Sequence, residues 1–128
     1  MKTSFAFGII LFLLLSVGGA VGAFEIVEGV ITTQVEEHRP VDSVQRWSAA
    51  SGPLYCFTRI VGVDEPTPIY HVWYRGAQEM ARVELRVRNS PWNTWSVKTM
   101  EGGWTGDWRV DVVDGTGRVL RTIPFALF

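Results

Sequence analysis

The densest chemistry in the chain lies in Ile69-Tyr70-His71-Val72-Trp73-Tyr74-Arg75. On a β-strand alternate side chains share a face, so Ile69, His71, Trp73 and Arg75 line up opposite Tyr70, Val72 and Tyr74. A titratable ring, a flat aromatic and a planar cation in a row suit a sugar, a carboxylate or a peptide terminus. Trp stacks on such a ligand, and Arg grips an anion through paired hydrogen bonds. The competing reading is a central strand in which Trp73 is core and His71 bonds a neighbouring carbonyl, because buried aromatics mostly serve packing. Trp92, Trp95, Trp104 and Trp108 form a second concentration. Together they could make an aromatic platform of the kind that receives glycans. Trp108 alternates with Val110 and Val112 and is expected in the core, with Trp95 paired across strands to it or to Trp73. Trp104, among glycines, and Trp92 are the two expected at the surface. The candidate ligand-binding residues are therefore His71, Trp73, Arg75, Trp92 and Trp104.

Catalysis is poorly provided for. His38 and His71 are the two histidines and Cys56 is the one cysteine, with no spacing that resembles a metal site. A Cys56–His71 pair would need adjacent strands, and nothing marks a third member or an oxyanion hole. The pairs Asp64/Glu65 and Asp111/Asp114 fall in turns or on the surface. The expectation is no catalytic residue, no metal and no cofactor, with a small enzyme using His71 as the weakest alternative. Arg82, Arg86 and Arg88, with Glu84 among them, could receive an anionic polymer, but read more simply as a solvated face with cross-strand charge pairs. Lys and Arg number 12 against 13 Asp and Glu, interspersed and without a polybasic block, which argues against nucleic acid.

These residues are carried on strands. Ala81 to Arg88 alternates apolar and charged with a period of two, so one face is buried and the other wet. Leu54 to Val61 and Ile69 to Arg75 are rich in β-branched and aromatic residues, with Pro66 and Pro68 breaking the chain between them. Further strands are expected at Ile26 to Val35, Asn93 to Thr99, Asp107 to Val113 and Arg118 to Leu127. Asp114-Gly115-Thr116-Gly117 is a hairpin turn, and Pro124 marks an edge or bulge in the final strand. Glu36 to Gly52 is less regular: either Asp42 or Ser43 caps a short helical turn through Val44 and Trp47, or an ordered loop pins Trp47 into the core. About seven short strands separated by Gly, Pro and Asp turns predict an all-β, immunoglobulin-like antiparallel sandwich, with a small barrel as the alternative.

The N-terminus precedes all of this. Lys2, an apolar run from Phe5 to Val17 and the small residues Val21-Gly22-Ala23 form the three parts of a secretory signal. The expected boundaries are a signal peptide over 1–23 and one sandwich domain over 24–128. The alternative for 1–23 is an uncleaved membrane anchor, since Phe5 to Phe24 reaches the ~20 apolar residues that span a bilayer. Either way the domain is expected outside the cytoplasm: periplasmic, extracellular or tethered at the outer side of the inner membrane. A single cysteine permits no intramolecular disulfide, so the core alone must hold the fold.

Several pieces in order resemble the bacterial domain-of-unknown-function family 2914. They are Pro40-Val41, Leu54-Tyr55-Cys56-Phe57-Thr58, His71-Val72-Trp73-Tyr74-Arg75, Trp92-Asn93-Thr94-Trp95-Ser96-Val97-Lys98, Gly106-Asp107-Trp108-Arg109-Val110 and Asp114 through Gly117 with Val119-Leu120 and Phe125. The resemblance runs over Val30 to Leu127, and Asn93 departs from it where a basic residue is expected. It implies an envelope domain with an N-terminal export or membrane segment and implies no activity. The expected partner is an envelope protein or glycan, met by a non-catalytic binding or scaffolding domain. The alternative is a structural protein that assembles through its strand edges.

Overall fold

The computed structural model describes residues 24–128. The expected signal peptide or anchor, 1–23, lies outside the described residues. Among the described residues no helix is long and apolar enough to cross a membrane.

The strands are β1 (Glu25–Thr32), β2 (Val35–Glu36), β3 (Arg39–Pro40), β4 (Arg46–Trp47), β5 (Leu54–Val61), β6 (Thr67–Arg75), β7 (Gln78–Val87), β8 (Trp92–Lys98), β9 (Gly106–Asp114) and β10 (Val119–Leu127). A three-stranded sheet in the order β1-β5-β8 packs against a five-stranded sheet in the order β4-β10-β9-β6-β7. The fold is all-β and a sandwich rather than a closed barrel. In immunoglobulin terms the order is A-B-E against A′-G-F-C-C′, so the strand after C joins the CFG sheet instead of the ABE sheet. All long neighbours are antiparallel, and only the short β4 runs parallel to β10.

The two inner faces supply the core. Leu54, Cys56 and Ile60 of β5 meet Ile69 and Trp73 of β6, Trp108, Val110 and Val112 of β9, and Ile123, Phe125 and Leu127 of β10. An aromatic line runs through it: Trp73 meets Phe125 edge-on at 6.1 Å between ring centres, Phe125 stacks on Trp108 at 5.9 Å, and Trp108 touches Trp104 at 6.0 Å. These large rings bury much apolar area in a chain without a disulfide. β7 follows its alternation, with Arg82, Glu84 and Arg86 exposed. Pro124 fits because β4 pairs with β10 only at Ala126 and Leu127, and the Ala126 N–H points to that side. The Pro124 nitrogen, two residues earlier, faces the same open side, so no ladder bond is lost.

The segment from Glu36 to Gly52 corrects the helical-turn expectation. It holds the β2–β3 hairpin and β4, with no helix. Asp42 does not cap a helix; one carboxylate oxygen accepts from Thr32 Oγ1 at 2.6 Å and the Thr33 N–H at 2.8 Å, and the other from Thr33 Oγ1 at 2.6 Å. Burial alone would raise its pKa, but these hydrogen bonds outweigh it and hold the group below its ordinary 3.8. Trp47 does pack against the core, yet its buried Nε1 has no partner among the described residues.

Candidate functional site

His71 and Trp73 sit on the inner face of β6 and are fully buried. Their polar atoms meet groups that cross from the opposite sheet. His71 Nδ1 lies 2.7 Å from Ser96 Oγ on β8, and Nε2 lies 3.1 Å from Thr58 Oγ1 on β5. Trp73 Nε1 donates to the same Ser96 Oγ at 3.2 Å, and Thr58 Oγ1 donates to the Thr94 carbonyl at 3.4 Å. One proton arrangement satisfies every atom. Ser96 donates to Nδ1 while accepting from Trp73, and Nε2–H donates to Thr58, which passes its own proton on to Thr94. This is a neutral imidazole. Desolvation drives its pKa from 6.5 to about 3. The His-x-Trp and Trp-x-x-Trp-Ser pieces thus meet at Ser96, as a clasp between the two sheets.

The five candidate residues consequently do not share one surface. A ligand reaches His71 or Trp73 only if the sandwich opens, as the packing alternative required. Arg75, half-buried at the end of β6, donates to the Thr105 carbonyl at 3.1 Å and the Gly103 carbonyl at 3.2 Å, which anchors the Gly-rich loop before β9. Trp104 lies in that loop against Trp108, with Lys98 Nζ 4.9 Å from its ring centre. Cys56 and His71 are on different sheets, so no adjacent-strand pair forms. Burial raises the Cys56 thiol well above its usual range, which leaves it inert. Among the described residues, no group of three or more His, Cys, Asp and Glu is placed to hold a metal ion.

Trp92 alone of the five lines a cavity with other aromatic and basic groups. The cavity, of about 490 Å³, is bounded by His38, Arg86, Trp92, Asn93, Thr94 and Trp95. It forms because the β2–β3 hairpin folds across the outer face of the three-stranded sheet. Arg39 pairs with Glu28 at 3.2 Å and its guanidinium lies over the Phe57 ring. At the tip, His38 meets Trp95 edge-on at 5.5 Å, and the His38 carbonyl accepts from Asn93 Nδ2 at 2.9 Å. Asn93 Oδ1 in turn accepts from Arg59 at 2.9 Å. Trp95 therefore pairs in register with Phe57 and packs under His38, not against Trp108 or Trp73 as expected.

The hairpin tip carries strain. Glu37 and His38 both have positive φ, 52° and 62°, where Asn or Gly is usual. Each non-glycine residue there costs roughly 1 kcal/mol, so the Asn93 bond and the Trp95 contact hold a conformation that local preference resists. A two-residue hairpin loop requires positive φ at both of its positions, so the strain belongs to the turn. The sequence could not show this cavity, since His38 and Trp95 are far apart in the chain. The tip is secured by Asn93.

The fold thus defines an immunoglobulin-like sandwich with a hairpin-covered cavity at the start of β8. Within it, residues 66–127, from the turn before β6 through β10, match the family described as a protein of unknown function (DUF2914). That segment carries the match to family 2914, and with it the motifs from His71 to Phe125; Pro40-Val41, Leu54 through Thr58 and the expected start at Val30 lie before it. The matched segment contains the His71–Ser96 clasp and all of the cavity lining except His38. No curated protein matches the chain.

Proposed function

We propose that this chain is a non-catalytic binding or scaffolding domain of the bacterial cell envelope, and that its ligand sits in the cavity between the hairpin tip and β8. The observation that carries the reading is the lining itself: two half-buried tryptophans, a histidine and an exposed arginine converge on one open cavity, with no carboxylate among them. Such a set offers aromatic faces and a cation to a partner that carries an anion. The buried, hydrogen-bonded state of His71 and the shielded Cys56 favour binding over turnover. Export through 1–23, as signal peptide or anchor, rests on the sequence of that segment.

The test compares wild type with Trp92→Ala/Trp95→Ala, by crosslinking in whole cells and by retention on envelope glycans. Trp92 packs at the margin of the core and Trp95 outside it, so the double variant should lose some stability yet keep the sandwich, whose central aromatic line is intact, and should lose its crosslinked neighbour or glycan. Unchanged neighbours and unchanged glycan retention in a folded variant would show that the ligand sits elsewhere.

A further inference from the structure

A sandwich leaves four sheet edges, and an open edge is a template for another strand unless something blunts it. Here the edges are β1 and β8 on one sheet and β4 and β7 on the other. β4 is two residues long. β7 sets Glu79, Arg82, Glu84 and Arg86 exposed along its length. β1 is bulged between Ile26 and Glu28, and two of its carbonyls are already taken: Ile26 accepts from Arg121 Nη1 at 3.0 Å and Ile31 from the Val44 N–H at 2.8 Å. β8 has none of these devices. It is seven residues long, uncharged from Trp92 to Val97, and paired among the described residues only with β5.

The cavity beside it is lined by four consecutive β8 residues, Trp92 through Trp95. Consecutive residues point to opposite faces of a strand, so a cavity that touches all four runs along the strand's edge, where main-chain N–H and C=O groups are presented. Trp92 and Trp95 wall it, and Arg86 supplies a positive charge. We propose that the β8 edge accepts an extended, acidic peptide segment of a partner protein as an added strand, with its carboxylate at Arg86. Main-chain pairing would give affinity, and the tryptophan walls and Arg86 would give selectivity. A second copy of this chain suits the edge less well. Two β8 edges in contact would bring Arg86 and Lys98 of both copies together with no acidic residue in the lining to offset them.

The inference rests on the binding reading above and names its ligand class. The test selects a displayed library of random nonapeptides on the full chain, then titrates the enriched peptides and chitohexaose into isotope-labelled full-length protein. The expected result is enrichment of acidic, proline-free peptides whose binding slows amide exchange along Trp92–Lys98. Arg86→Glu should weaken the acidic peptides about tenfold, as expected for reversal of an exposed charge pair. Enriched peptides that leave β8 exchange unchanged, or bind Arg86→Glu equally well, overturn the added-strand proposal. So does chitohexaose binding without peptide enrichment, which keeps the cavity as the binding site on its tryptophan walls but removes the requirement for an anion. Self-association through β8 overturns it in favour of the second copy. If neither peptide nor sugar perturbs β8 or the hairpin tip, both readings fail.

Discussion

Acid should loosen this domain through one residue, His71. In the folded chain the ring is neutral, held between Ser96 and Thr58, with burial lowering its pKa from 6.5 to about 3. A second ring proton would force Ser96 to accept from both Nδ1 and Trp73, which strands the Ser96 hydroxyl proton in the core. Once unfolded, the ring takes up its proton near the ordinary value. Because the folded pKa is the depressed one, the stability that this neutral ring supports is complete above the unfolded pKa. It is lost as pH falls toward the folded value, at about 1.4 kcal/mol per pH unit. Between about pH 7 and about pH 5 the loss sums to about 2 kcal/mol, a large share of the stability of a domain this small. The Asp42 and Asp114 carboxyls are both held below 3.8 and titrate at lower pH, outside this window. The assay is urea unfolding followed by tryptophan fluorescence across the window. The midpoint should fall by about 1–2 M, for a urea slope of about 1–2 kcal/mol per M. His71→Gln keeps a donor and an acceptor but cannot take the proton. It should start less stable at neutral pH and show a much flatter dependence. A wild-type midpoint that stays constant across the window, or an unchanged slope in His71→Gln, would refute the neutral-clasp account.

Two further outcomes follow from the same core. Ser96→Ala removes one hydroxyl but leaves both His71 Nδ1 and Trp73 Nε1 unpaired, so it should cost about 2–3 kcal/mol, read as a lower thermal midpoint. Cys56 is fully buried between the sheets with its thiol pKa raised, so an aromatic disulfide reagent should label it only at the rate of global unfolding, and rapid labelling of the native protein would contradict the packing.

The long strands were legible because their signals are local. Leu54–Val61 is bounded as the sequence predicts, and the alternation of Ala81 to Arg88 became β7 with its even positions exposed. Glu36 to Gly52 was not legible, for two physical reasons. Two-residue strands are too short to show a period. A carboxylate such as Asp42 also caps a helix or clasps a loop with the same acceptor chemistry, and only the folded chain decides which N–H it meets.

The row with which the chemistry began divides in the same way. The alternation of β6 determined that Ile69, His71 and Trp73 share a face and that their strand has apolar residues on both sides. The second sheet decided that this face is closed, because Thr58 and Ser96 arrive from β5 and β8 to satisfy its polar atoms. The cavity was likewise beyond the sequence. It depends on a hairpin tip reaching from His38 to Asn93 and Trp95, and a contact that distant in the chain leaves no periodicity to read. Strand type and facing are set by neighbours along the chain; what is buried, and what remains open along β8, is set by which layers meet.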